Sequence, residues 1–231
     1  MMTTYNREKY IREQLDSILN QTYTNFEVVI CDDCSKDNTK EILKEYEKKD
    51  PSIHVHFNES NLGFKKNFEK AISFCKGEYI TFSDQDDVWV NFKLQESIEK
   101  IGSLPLLCTN STLTDSDLNP LGYTLKDSLR LKKLPQTNDV LIKKMIHNNC
   151  IQGATILCLT DFIKRHLPIP EDIIFHDWYF GIWAAIENNI VYLDTPTMKY
   201  RQHSSNVTEN HKKSFFQRLM PHKYNRNKVL K

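Results

Sequence analysis

The sequence has neither a long apolar run nor an N-terminal secretion signal. No apolar stretch reaches the roughly 18 to 20 residues that a membrane-spanning helix needs. A basic segment followed by an apolar one, the pattern of a secretory signal, is also absent from the start of the chain. We therefore expect a soluble or peripheral protein in the cytoplasm, in contact at most with the inner face of the cell membrane.

A large excess of one charge is also absent, since the 231 residues carry a formal net charge of +1. Proteins that bind nucleic acid usually show a basic excess across a whole domain. We therefore expect no nucleic-acid partner, and any site for a polyanion has to be local.

The six cysteines do not show the dense spacing of a secreted disulfide scaffold. They are scattered through apolar segments, which favours buried thiols in a reducing cytoplasm. Cys31 and Cys34 form a C-x-x-C pattern, but Asp32 and Asp33 lie between them and their negative charge disfavours a reactive thiolate. A redox or zinc role for this pair is the minor alternative.

Apolar segments that suit strands alternate with segments of helical period over the first half of the chain. This order predicts an α/β fold with a mostly parallel sheet flanked by helices. The predicted helices cover 7–20, 38–48, 64–75 and 139–148, and a further helix begins at 177. The predicted strands cover 26–30, 53–57, 78–83, 151–159, 190–193 and 197–201. From about residue 104 the elements become shorter and more mixed.

Acidic residues follow two of the predicted strands. The stretch "GEYITFSDQDDVW" crowds Asp84, Asp86 and Asp87 into four positions, where like charges repel unless a cation lies between them. Residues 84 and 86 project to the same side of an extended chain, and their all-oxygen ligands suit Mg²⁺ or Mn²⁺. Asp32 and Asp33 follow "FEVVIC" in the same way. Turn formation is the alternative for this second pair, whereas it accounts for only one carboxylate of the first cluster.

Six segments of the chain resemble, in order, the motifs of family 2 glycosyltransferases, in particular bacterial rhamnosyltransferase-type members. They are "TTYNREKYIREQLDSILNQTY", "CDDCSKDNT", "NLGFKKNF", "SDQDDVW", "HDWYF" and "YRQHSSNV". The resemblance implies a single GT-A-type nucleotide-diphospho-sugar transferase domain over 1–208, with a nucleotide-binding half (1–103) and an acceptor-side half (104–208). It also implies a truncated first strand, because only two residues precede "TTYN".

The resemblance implies roles for the residues that hold the donor. Thr4 and Tyr5 would flank the nucleotide base, and Asp32 would contact it. Asp86 would be the direct ligand of a Mn²⁺ or Mg²⁺ cofactor, and Asp84 would lie nearer the ribose and share the metal. In the late motif, Arg201 and His203 would close over the diphosphate and contact phosphate or metal.

On the acceptor side, the resemblance makes Asp177 of "HDWYF" the general base of an inverting transfer. Gly153 would leave room for the acceptor sugar. Capping of the following helix is the alternative for Asp177, and a strand bulge is the alternative for Gly153. The implied donor is dTDP-rhamnose or a UDP-hexose, and the implied acceptor is a glycan or lipid-linked glycan of cell-surface polysaccharide synthesis.

Two further basic features suggest anionic partners. Lys65 and Lys66 lie beside a predicted helix start, where they face either phosphate or water. The basic tail 209–231 carries seven Lys or Arg and no acid from residue 212 onward, together with Phe215 and Phe216. This composition suits peripheral contact with an anionic membrane, although a frayed basic tail is the alternative.

Two other interpretations of the whole chain stay open at this point. A phosphoacceptor signalling domain also groups aspartates around Mg²⁺ at strand ends, although the chemistry-bearing motifs here continue to residue 203. Metal-dependent nucleotide binding would indicate a glycosyltransferase, whereas labelling by acetyl phosphate would indicate a signalling domain. The other interpretation keeps the fold but makes the chain an inactive, truncated member of the family, which donor hydrolysis would disprove.

Overall fold

The computed structural model describes residues 1–129, 138–147, 149–173, 175–187 and 190–203. Within these ranges the strands are β1 (Met2–Thr4), β2 (Val28–Asp32), β3 (Ile53–Phe57), β4 (Tyr79–Thr81), β5 (Val88–Trp89), β6 (Leu106–Thr114), β7 (Pro120–Thr124), β8 (Ile156–Leu159) and β9 (Ile190–Arg201). The α-helices are α1 (Ile11–Leu19), α2 (Thr39–Lys49), α3 (Phe64–Phe74), α4 (Lys93–Ile101), α5 (Leu125–Leu129), α6 (Asn138–His147), α7 (Thr160–Arg165) and α8 (His176–Glu187).

The sheet is parallel in its first half and mixed in its second. Strands β1, β2 and β3 pair in parallel, and a parallel bridge from Met2 to Ser83 joins β1 to the chain that leaves β4. The remaining order is β4-β8-β6-β9-β5, with β7 on β6. This arrangement confirms the α/β class.

Parallel pairing extends less far than predicted. Strands β6 and β9 are parallel, but the pairs β4–β8, β6–β8, β6–β7 and β5–β9 are antiparallel. The connection from β6 to β7 covers only residues 115–119, which is too short for the crossover that a parallel neighbour requires. The alternation of strands and helices that predicts parallel pairing stops at this point in the chain.

The sheet buries apolar residues on both faces. In β2, Val28 and Ile30 join one hydrophobic cluster with α1 and α2, whereas Val29 and Cys31 join another with α3. This two-sided burial explains the continuous apolar run of β2, which is typical of a central parallel strand. Five cysteines are buried and all six are free thiols, as predicted.

Element boundaries differ from the prediction in the second half. The predicted strand over 151–159 begins as a 3-10 turn (Gly153–Thr155), and only Ile156–Leu159 forms a strand. The two strands predicted near the end form one strand, β9. The prediction also missed β5, α4 and α7, as well as β7 and α5, which lie in the polar region 110–138.

The first strand is short but delivers its end to the site. β1 has three residues, against five in β2 and five in β3. Its Thr4 pairs with Asp32, so residues 4 and 5 emerge at the carboxyl edge of the sheet.

None of the described helices combines the length and the apolar character that crossing a bilayer requires. The tail 209–231, for which membrane contact is predicted, lies outside the described residues.

Candidate active site

The predicted donor residues lie together at the carboxyl edge of the parallel strands. Asp32 ends β2 and Thr4 ends β1, and the Thr4 hydroxyl donates to Asp32 Oδ1 at 3.0 Å. The aspartate cluster 84–87 follows β4, next to β1. Ligands of open α/β sheets bind at this edge.

Asp32 is fully engaged with its neighbours. Besides the Thr4 contact, its carboxylate accepts from the Ser35 hydroxyl at 2.5 Å and from the Ser35 amide at 2.9 Å. Its side chain is 0% exposed, so its contact with a nucleotide base stays a prediction. Tyr5 is 45% exposed, and its amide donates to Gln85 Oε1 at 2.8 Å. Of the residues expected at the base, Tyr5 has the ring that is open to a ligand.

Asp33 anchors the loop before α3, which fits the turn-forming alternative. Its Oδ1 accepts from the Leu62 amide at 2.7 Å and from Asn58 Nδ2 at 2.9 Å, and its Oδ2 accepts from the Gly63 amide at 3.0 Å.

The two lysines that follow this loop behave differently. Lys65 Nζ donates to the carbonyl oxygens of Pro170 and Glu171 at 2.9 and 2.6 Å, so it connects two loops. Lys66 is exposed to solvent. A phosphate contact by either lysine stays a prediction.

Asp86 lies at the centre of the polar cluster. It is 8% exposed, and its Oδ2 lies 3.3 Å from Arg7 Nε and 3.1 Å from His203 Nε2. The His203 ring is stacked on Tyr10 with ring centroids 5.1 Å apart. The structure thus joins two predicted metal ligands and adds Arg7, which sequence analysis did not single out although it lies in "TTYNREKY".

The donor set of this cluster fits a divalent metal held jointly with a ligand. Within the described ranges no three His, Cys, Asp or Glu residues converge as a complete metal site. Asp86 Oδ2 and His203 Nε2 are 3.1 Å apart, a spacing that suits adjacent ligands of an octahedral ion with bonds of about 2.1 Å. Mg²⁺ is usually held by one or two carboxylates plus substrate phosphates, which matches a site of this kind.

Arg201 has a different place from the one predicted. Its side chain is 2% exposed, its Nε donates to the backbone oxygen of Asp86 at 2.7 Å, and its Nη2 pairs with Glu13 at 2.5 Å. Its amide donates to Asp87 Oδ1 at 3.0 Å. A direct phosphate contact would require these bonds to break, so Arg201 supports the aspartate cluster from behind.

Asp177 lies in the first turn of α8 and is held by three donors. Its Oδ1 accepts from the Trp178 amide at 2.7 Å and from Asn149 Nδ2 at 3.2 Å, and its Oδ2 accepts from the Gly153 amide at 3.0 Å. Burial nevertheless raises the pKa of Asp177 to about 6. The carboxylate therefore bonds a helix-terminal amide and also has a pKa above the ordinary value of 3.8.

Gly153 is needed for close packing beside Asp177. A Cβ added there would lie 2.9 Å from His176 Nε2. The His176 ring is packed on Phe68 with ring centroids 3.9 Å apart, and burial lowers its pKa to about 3. A neutral, enclosed imidazole therefore fills the space that a side chain would take, and the strand-bulge alternative does not apply because Gly153 begins a 3-10 turn.

Strand pairing brings Asp177 to the same end of the sheet as the aspartate cluster, because β8 runs antiparallel to β4 with Leu157 opposite Thr81, and the turn that precedes β8 bonds Asp177 through the Gly153 amide. Asp84 is the solvent-exposed member of that cluster. The site therefore brings together an accessible carboxylate, the adjacent pair Asp86 and His203, and a buried carboxylate with a raised pKa.

Known proteins resemble this chain in both sequence and fold. The family model described as Glycosyl transferase family 2 matches residues 1–162. The dTDP-rhamnosyl transferase RfbG of Shigella flexneri is 33% identical over 214 residues, which cover 89% of this chain and 72% of RfbG. The UDP-Glc:alpha-D-GlcNAc-diphosphoundecaprenol beta-1,3-glucosyltransferase WfgD of Escherichia coli is 29% identical over 91% of this chain and 79% of WfgD.

A solved structure agrees with these relatives. S. aureus TarS 1-349 in complex with UDP-GlcNAc superposes with a TM-score of 0.71 and 26% identity, covering 89% of this chain and 58% of that one. The chain thus spans little more than half of the TarS chain. The family match replaces the phosphoacceptor interpretation, and the chain belongs to glycosyl transferase family 2.

Proposed function

We propose that this domain transfers a sugar from a nucleotide diphosphate sugar to an acceptor hydroxyl with inversion at the anomeric carbon. The observation that carries the proposal is the shared site of Asp177 and the aspartate cluster. Asp177, whose pKa is raised to about 6 by burial, is bonded to the turn before β8, and antiparallel pairing puts that turn beside the end of β4, where the aspartate cluster begins. No covalent intermediate is required, because the acceptor oxygen attacks directly.

Each residue then has a separate task. Asp177 takes the proton of the acceptor hydroxyl as its oxygen bonds to the anomeric carbon and the bond to the diphosphate breaks. Asp86, Asp84 and His203 would hold Mn²⁺ or Mg²⁺, which when bound neutralises charge on the leaving diphosphate. Tyr5 would provide the exposed ring beside the nucleotide base of the donor. The hydrogen bond between Thr4 and Asp32 holds together the strand ends from which Tyr5 extends.

The names of the relatives support classes of donor and acceptor. RfbG is named as a dTDP-rhamnosyl transferase and WfgD as a UDP-Glc transferase whose acceptor is a diphosphoundecaprenol-linked sugar. We propose dTDP-rhamnose or a UDP-hexose as donor and a glycan or lipid-linked glycan of cell-surface polysaccharide synthesis as acceptor. A lipid-linked acceptor places the domain at the cytoplasmic face of the membrane, which the basic tail 209–231 would contact.

The test is release of nucleoside diphosphate from dTDP-rhamnose, UDP-glucose and UDP-GlcNAc in the presence of Mn²⁺. We expect the wild type to hydrolyse or transfer from one of them, and Asp177→Asn to lower turnover by about 10² to 10⁴-fold at nearly unchanged donor affinity. Asp161→Asn is the matched control, because Asp161 also lies in the first turn of a helix. Wild-type turnover in Asp177→Asn would show that Asp177 acts only as a helix cap. If the wild type released no nucleoside diphosphate from any donor, the chain would be an inactive member of the family.

A further inference from the structure

Lys93 is a buried basic residue that lies behind the candidate site. It has no role in the sugar transfer proposed for Asp177 and the aspartate cluster. It is the first residue of α4, and it is 2% exposed. In the described part of the chain, no carboxylate lies within ion-pair distance of its ammonium group. A buried charge without a close counter-ion lowers stability, so Lys93 is costly for the fold.

The contacts of Lys93 lead directly to the candidate base. Its Nζ donates to the carbonyl oxygen of Ala154 at 2.9 Å and lies 4.9 Å from the centroid of the Trp89 ring. Ala154 is the middle residue of the 3-10 turn Gly153–Thr155. The first amide of that turn donates to Asp177 Oδ2 at 3.0 Å. One short turn therefore connects the ammonium group to the carboxylate.

We propose that Lys93 is a positioning residue for sugar transfer. Its ammonium group fixes the turn whose Gly153 amide orients Asp177. It touches neither donor nor acceptor. This inference rests on the proposed function.

The test compares Lys93→Met, which removes both the hydrogen bond and the charge, with Lys93→Gln, which keeps a donor for Ala154 but no charge. For Lys93→Met we expect kcat to fall about 10- to 100-fold, as for other groups that orient a catalytic residue. Donor KM should change less than kcat, and Lys93→Gln should recover part of kcat. The thermal midpoint should stay equal or rise, because an apolar side chain of similar volume often replaces a buried charge without loss.

Lys164→Met is the control, because Lys164 Nζ also donates to a backbone carbonyl, that of Cys75 at 2.8 Å, away from the site. It should keep the wild-type kcat. An unchanged kcat in Lys93→Met would overturn the proposal. A lower thermal midpoint or failure to fold would do so too, because Lys93 would then stabilise the fold instead of the site.

A second readout does not depend on turnover. In ¹⁵N-labelled protein, the amide resonance of Gly153 should shift in Lys93→Met and stay in place in Lys164→Met. An unmoved resonance would overturn the inference even in an active enzyme. If the wild type releases no nucleotide, the proposed function fails, while this resonance still decides whether Lys93 positions the turn.

Discussion

At the scale of single residues, Asp177 combines a structural role with the raised pKa that the proposed transfer requires. Three donors hold it in place, yet burial keeps its pKa near 6, above the ordinary value of 3.8. Because folding raises the pKa of Asp177, the contribution of this carboxyl group to the stability of the folded state is largest below pH 3.8. That contribution is lost as the pH rises through 6. Activity follows the opposite course, because only the ionised form accepts a proton.

This pKa predicts the acid limb of the rate profile. We expect kcat/KM for transfer or donor hydrolysis to fall as the pH drops through about 6, because Asp177 becomes protonated. The measurement is kcat/KM between about pH 5 and about pH 8 for the wild type and the control Asp161→Asn, which should share the limb. A flat profile down to about pH 5 would contradict the assignment of Asp177 as the base.

Single residues also mark where sequence analysis failed. Arg7 lies at the site beside Asp86 and Lys93 lies behind it, bonded to Ala154. An isolated basic residue near a helix start is usually solvated, so the sequence pattern indicated neither. Asp33 and Arg201 were candidates for ligand contact by type and position. Their hydrogen bonds go to the protein instead, a distinction that depends on side-chain geometry and not on sequence pattern.

At the scale of elements, the loop before α3 depends on one carboxylate from the end of β2. Asp33 is 4% exposed and accepts from the amides of Leu62 and Gly63 as well as from Asn58. These amides precede a helix whose first residue is Phe64. Because helix-terminal amides lack partners within the helix, an acceptor from another strand can replace a local cap.

Asp33→Asn should therefore destabilise the domain. An amide group would turn a donor toward one of the backbone amides that Asp33 now satisfies, at a cost of about 1–3 kcal/mol in the free energy of unfolding. The measurement is denaturant unfolding, with Asp50→Asn as the control, because Asp50 accepts from Ser52 in a partly exposed turn. Equal stability of Asp33→Asn and the wild type would show that the loop does not depend on this carboxylate.

Helices α1 to α3 and strands β2 and β3 were predictable because each is long enough to show its own period, whereas α4 was not predicted. Helices α1 and α3 fall inside the predicted ranges, α2 ends one residue beyond its range, β3 matches its predicted segment, and β2 lies two residues later than predicted. The second half was harder, because β8 is preceded by a 3-10 turn and β7 lies in a polar region. There, strand pairing with β6 overrides local preference.

At the scale of the whole molecule, the basic tail is the feature that would bring the domain to its acceptor. Deleting residues 212–231 should weaken co-sedimentation with vesicles of phosphatidylglycerol and phosphatidylcholine, because its seven Lys or Arg attract an anionic surface. The difference should shrink as salt rises, since the Debye length falls to about 8 Å at 0.15 M. Equal sedimentation of the full chain and the deletion variant at low salt would favour the alternative, a frayed basic tail that does not bind membranes.

We expect a divalent metal and the donor diphosphate to bind at the aspartate cluster, where the metal offsets the repulsion among the neighbouring carboxylates. The direct measurement is calorimetry of donor binding with and without Mn²⁺, for the wild type and Asp86→Ala. The donor is the one that releases nucleoside diphosphate in the panel above. We expect Mn²⁺ to raise donor affinity in the wild type by about 10- to 100-fold, the range that metal-site residues usually control, and to have no effect in Asp86→Ala. Equal, metal-enhanced affinities in the two proteins would contradict the account.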